Sequence, residues 1–243
     1  MNQILVSEKL YITPELRRKK RLFRIEFFLS VFLVCILSSY YIYAEYDRNK
    51  NEQLSREVLA EVQTDNTIKQ EEEDDSTLII VLGEEEANKA DDTIVENTQI
   101  TTNTYTATDG TKYSTEAVVS IPSIDISYPV LTETSDDLLE ISVNKYFGPN
   151  PNEIGNYCIV GHNYRNGKMF GRLSELENGD VVELQDLSGR TVKYKVYNRY
   201  VVKPTDTRCT SQKYCRENAK RELTLITCTN YGTERLVVKC REV

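Results

Sequence analysis

From Ala117 to the carboxy terminus the apolar residues come in short runs, and nearly every run stops at Pro, Gly, Asn or Asp: "AVVSIPSIDISYPVL", "NYCIVGH", "DVVELQD", "TVKYKVYNRYVVKP", "LTLITC" and "RLVVKC". Runs this short, with turn residues at their ends, exclude a helical bundle. Alternation of apolar and polar residues is plainest in "TVKYKVYNRYVV", the period-two pattern of a strand with one covered face. The spacing predicts a mainly β domain over residues 117–243, a mixed sheet or closed barrel of roughly eight strands. Two short helices are expected within it, one over Ser135 to Tyr146 with Ser135 as its cap, the other near "MFGRLSEL". A domain of this length can bury a core without disulfide staples.

What precedes this domain is different in kind. Residues 1–44 carry 7 Lys/Arg against 3 Asp/Glu, residues 45–116 carry 6 against 19, and residues 117–243 carry 17 against 16. The cluster "RRKKRLFR" closes a basic segment, residues 1–26, ahead of an uncharged apolar run over residues 27–44. That run has about the length a helix needs to cross hydrocarbon, and Tyr40, Tyr41 and Tyr43 fall where an interfacial belt would lie. Basic residues on the amino-terminal flank predict a single-pass anchor in the cell membrane, its amino terminus cytoplasmic and the rest exported. A cleaved signal peptide fits less well, because Ile42 stands where a small residue is needed before a cut at Ala44. Residues 45–116 form an acidic extracellular spacer with few large apolar residues beyond "TLIIVL". It is expected to be largely disordered, or helical near "EQLSREVLAEV", where Leu54, Val58, Leu59 and Val62 recur at helical spacing. The acidity and the lack of a basic stripe on the folded part exclude nucleic acid as a partner.

Six cysteines invite a disulfide framework, yet their positions do not form one. Cys35 lies in the apolar run, Cys158 and Cys240 sit inside strand-like stretches, and only Cys209 and Cys215, in a polar loop, are placed to pair with each other. With one histidine in the chain and no C-x-x-C, a zinc site has little support.

The remaining cysteine is unlike the others. Cys228 ends the run "TLITC" at the edge of a turn, and Arg235 opens the next run after "TNYGTE". In a tight antiparallel hairpin both side chains would lie at one mouth. The only histidine, His162, ends another strand-like run, "IVGH", and passes into a polar loop. A nucleophilic thiol needs partial exposure, a nearby base or cation, and a donor where negative charge develops. Cys228, His162 and Arg235 can supply these together, although each alone would more often be structural.

This constellation resembles the sortases, membrane-anchored cysteine transpeptidases of Gram-positive bacteria. "TLITC" is similar to their T-L-x-T-C motif, Arg235 stands where their arginine follows the strand turn, and His162 in "IVGHN" occupies the place of their histidine. The resemblance runs from about Ala117 to the end, with "SIPSIDISYPV" opening the domain and "FGRLSELENGDVVELQD" filling the usual helix-to-strand connection. It implies a sortase-type closed β-barrel and acyl transfer. Cys228 would attack the carbonyl after threonine in an LPXTG-like sorting signal, His162 would serve as acid and then base, and Arg235 would stabilise the oxyanion. The implied partners are surface proteins bearing sorting signals and a peptidoglycan amine. No cofactor is implied, and calcium dependence is left open. No Asp-Pro-aromatic lid segment precedes the domain, which counts against the pilin-polymerising class and favours a housekeeping-like or class D-like enzyme, with the subclass open. Two alternatives share parts of this pattern: a cysteine peptidase that only hydrolyses, and a tethered binding module with structural Cys and His.

Overall fold

The computed structural model describes residues 14–74, 103–108 and 110–243; the expectations for residues 1–13 and for the spacer around "TLIIVL" lie outside them. The first element, α1 (Pro14–Asp74), crosses the boundary between two compact units, Met1–Asn49 and Lys50–Val243. In the first unit the large apolar side chains of the expected membrane run are exposed, Phe27, Phe32 and Leu37 among them. Such a surface is stable in lipid and not in water. This is the one helix among the described residues long and apolar enough to cross a membrane.

In the second unit α1 becomes amphipathic. Leu54, Val58 and Val62 recur every four residues, lie on one face, and are buried with Tyr113, Val118, Leu131, Ile141 and Leu187. The stretch read as spacer thus contains a helix docked on the outside of the barrel, as well as strands β1 (Asn103–Thr106) and the first half of β2 (Lys112–Ile121). The alternating threonines of "TTNTYTATDGTKYST" conceal this, because β1 contributes only Tyr105 to the buried face.

The other elements follow as β3 (Ile126–Leu131), α2 (Asp136–Ile141), β4 (Val143–Phe147), β5 (Gly155–Val160), β6 (Val181–Asp186), β7 (Thr191–Val202), α3 (Lys213–Asn218), β8 (Arg221–Thr229) and β9 (Glu234–Glu242). The strand order is β1-β2-β3-β4-β5-β8-β9-β7-β6, and β6 pairs back onto β2. Eight strands therefore close a barrel, and β1 hangs on it as a hairpin with β2. Ala117, Val119, Ile121, Tyr157, Ile159, Val182, Leu184, Leu223, Leu225 and Val238 fill the interior, capped by Phe170, Leu173 and Leu176 from the β5–β6 connection.

The helices are shorter than expected. Ser135 does cap α2, its hydroxyl accepting from the Leu138 amide at 3.2 Å, but the helix stops at Ile141 because Ser142 turns extended. Its hydroxyl donates to the Pro129 carbonyl at 2.6 Å, and Val143 and Asn144 pair in parallel with β3. In "MFGRLSEL" only a 3-10 turn forms, Leu173–Glu175.

Candidate active site

Two strand pairings assemble the site. In the β8–β9 ladder Cys228 lies directly opposite Arg235, so both side chains leave the same face near the turn of the hairpin. In the parallel β5–β8 ladder Val160 lies opposite Ile226, and the pairing continues past the end of β5. The Gly161 amide donates to the Ile226 carbonyl at 3.1 Å, and the Thr227 hydroxyl to the Gly161 carbonyl at 2.7 Å. His162 is thereby brought alongside Cys228, and Asn163 fixes the register by donating its side-chain amide to the Cys228 carbonyl at 2.8 Å. All three residues singled out by the sequence thus converge. Asn163 and Thr227, which hold them together, stand in the motifs "IVGHN" and "TLITC", but their contacts join distant segments and carry no sequence signal.

Gly161 is required by this packing, since a Cβ there would meet Val143 at 2.8 Å and Phe170 at 2.9 Å. The loop that follows folds back on itself: the Phe170 amide donates to the His162 carbonyl at 3.0 Å, and Met169 bridges to Asn163. His162 is half-buried, with its ring 5.2 Å from that of Tyr164. Burial lowers its pKa below the ordinary imidazole value, against the opposing pull of the Glu140 and Asp136 carboxylates on α2.

Cys228 is partly exposed, whereas Cys158, Cys209, Cys215 and Cys240 are buried free thiols. Burial pushes Cys158 and Cys240 up to about 12 and Cys215 to about 11, holding them protonated. The pairing considered for Cys209 and Cys215 is not formed. Among the described residues no group of three or more His, Cys, Asp or Glu is arranged to hold a metal. Arg235 makes no ion pair among the described residues; its Nη1 donates to the carbonyls of Gly232 at 3.0 Å and Glu234 at 3.1 Å, which braces the hairpin.

A groove of about 230 Å³ leads to Arg235 between Leu139, Tyr146, Val160, Ile226 and Val237 on one side and Val202, Pro204 and Thr207 on the other. A β-bulge builds part of that wall. The β7–β9 register slips at Tyr197, between Val196 and Asn198, so even-numbered residues of β7 face the interior before it and the outer face after it. Val202 therefore sits opposite Arg235, and Tyr200 opposite Val237. A larger cavity of about 630 Å³ adjoins this groove through Thr134 and Tyr146 but contains none of the three site residues. The smaller groove is the one that touches Arg235.

The sortase domain model matches residues 119–243. Sortase A of Bacillus anthracis is 30% identical over 128 residues, which cover 49% of this chain and 56% of that protein. Among solved structures, sortase A from Corynebacterium diphtheriae aligns with a TM-score of 0.49 and 29% identity over 54% of this chain and 61% of that one. A Clostridium perfringens sortase D5 transpeptidase aligns with a TM-score of 0.47 and 25% identity over 53% and 79%. The chain thus spans somewhat over half the length of the curated relative it matches. The matched residues include the strands and loop that carry Cys228, His162 and Arg235, and the chain belongs to the sortase family.

Proposed function

We propose that this protein is a cysteine transpeptidase that cleaves an LPXTG-like sorting signal after Thr and transfers the carboxyl fragment's former partner, the protein, to a peptidoglycan amine. The observation that carries this reading is the direct pairing of Cys228 with Arg235 beside the strand end that holds His162. The Cys228 thiolate adds to the threonine carbonyl, and the oxyanion accepts hydrogen bonds from the Arg235 guanidinium, whose planar fork suits an oxygen. The C–N bond breaks as protonated His162 gives its proton to the leaving amine, and a thioester remains on Cys228. An incoming amine then adds to the thioester while His162 takes its proton, and the C–S bond breaks to restore the thiolate. No step calls for a cofactor or a calcium ion.

The basic segment before the apolar run supports an amino terminus in the cytoplasm and a catalytic domain outside the membrane, where sorting signals and wall precursors meet. Sorting-signal peptides incubated with the protein and a set of amine acceptors test the reading. Amine-dependent ligation product is expected; cleavage whose only product is the free acid, whatever the amine, would replace transfer with hydrolysis.

A further inference from the structure

The part of α1 that follows the membrane run reaches the loop carrying His162 through one buried tyrosine. Tyr128, on β3, is 6% exposed. Its hydroxyl donates to the Glu52 carboxylate of α1 at 3.0 and 3.2 Å. The same oxygen accepts from the Met169 amide at 3.0 Å. Met169 is buried and left-handed, with φ of 49°, a conformation that a long side chain rarely takes without outside support. It bridges to Asn163, and its neighbour Phe170 donates to the His162 carbonyl. Glu52 precedes Leu54 at the start of the helix stretch whose apolar side docks on the barrel, and its side chain is 11% exposed and also paired with Arg56, one turn on, at 3.3 Å.

A second route leads from α1 to the other side of the histidine. Ser55 donates to the Ser142 hydroxyl at 3.3 Å, and Ile141 packs in the cluster of Leu54, Val58 and Val62. These residues close α2, whose Asp136 and Glu140 are the carboxylates that act on His162; the Tyr164 ring is its other close neighbour.

We infer that Glu52 and Tyr128 are positioning residues for His162, so that the helix emerging from the membrane run completes the active site instead of merely spacing it. The inference rests on His162 being the acid and base of the proposed reaction. Because His162 is the only histidine, its imidazole carbons give an unambiguous magnetic resonance signal in the full chain in detergent micelles. Tyr128→Phe removes the hydroxyl that holds the Met169 amide, and Glu52→Ala removes the carboxylate that orients that hydroxyl. Turnover is then expected to fall roughly tenfold with KM unchanged, as for a displaced catalytic group. The imidazole signal should broaden and titrate closer to the ordinary value as the ring gains water. Glu52→Gln still accepts from Tyr128 and should stay near wild type. Unchanged His162 titration and turnover in both Tyr128→Phe and Glu52→Ala would overturn the inference, as would a lowered melting temperature with no change at the imidazole. Equal losses in Glu52→Gln and Glu52→Ala would overturn the hydrogen-bonded route. Should the wild-type protein neither cleave nor transfer, the acid–base reading fails, while the imidazole titration still decides whether Glu52 and Tyr128 hold the ring.

Discussion

Cys228 and Cys158 belong to neighbouring paired strands and face the same outer side of the barrel, yet one is open and the other shut away. Along β8 and β9 the outer face passes from Cys228 opposite Arg235, to Ile226 opposite Val237, to Thr224 opposite Lys239, to Glu222 opposite Arg241. Cys158 lies beside Thr224 in the third of these layers. The connection over residues 203–220 covers that layer and leaves the first uncovered. Asn156 fastens it, donating to the carbonyls of Cys209 at 2.9 Å and Ser211 at 3.3 Å, while Lys239 donates to Cys209 at 3.3 Å. Lys239 is itself paired with Glu222 at 3.1 Å, both nearly buried. The same residue type on the same face is thus a partly exposed thiol beside a cation at one end and a buried, protonated side chain two layers on. Cover, more than strand or parity, decides which thiol can react.

The largest expected effect breaks the open end. Cys228→Ala should abolish cleavage and transfer, as measured by product chromatography, because every other thiol of the barrel is buried. Arg235→Lys comes next: it keeps the charge and loses the planar fork, so roughly a 10²-fold fall in turnover is expected with folding intact. Near-full activity there would reduce Arg235 to a source of general positive potential.

In the covered layer the effects fall on stability. Glu222→Gln leaves Lys239 buried without its charge partner and should cost about 3 kcal/mol in denaturant unfolding, with activity kept where the protein remains folded. The pH dependence has a definite sign. Burial alone would raise the Glu222 carboxyl, but hydrogen bonds from Arg241, Lys239 and Tyr197 outweigh it and hold it below the ordinary carboxylate value. Its contribution is therefore complete above that range and is lost as pH falls through the folded-state value, and Glu222→Gln should flatten this acid limb. Smallest is Cys158→Ala, which leaves a void of one sulfur and should lower stability by about 1 kcal/mol with turnover unchanged.

The site was easier to read in the sequence than the structure around it. Strand ends are marked locally by turn residues, so Cys228, His162 and Arg235 could be placed at one mouth before any pairing was known. Their supports are non-local. Tyr128 meets Glu52 76 residues away, and Asn163 meets Cys228 65 residues away, with no periodicity to reveal either contact. The slip at Tyr197 leaves only a faint mark: "TVKYKV" alternates strictly and "YNRYVV" does not, but only pairing with β9 shows that the second half is inverted. Val143 to Phe147 reads as a continuation of α2 because its strand character comes from β3 and β5, which lie on either side. The β1–β2 hairpin was hidden by polar composition, whereas the helix near "EQLSREVLAEV" was legible from its spacing and only its docking on the barrel was not. A helix that buries one face needs only Leu54, Val58 and Val62 on that face, and the surrounding charges stay in water.

Cover separates a reactive thiol from an inert one on a single barrel face. The most direct measurement is peptide mapping by mass spectrometry after the protein is quenched during turnover of a sorting-signal peptide. The acyl mass is expected on the peptide containing Cys228 and not on that containing Cys158. Acyl mass on Cys158, or a thioacyl adduct that persists in Cys228→Ala, would contradict it.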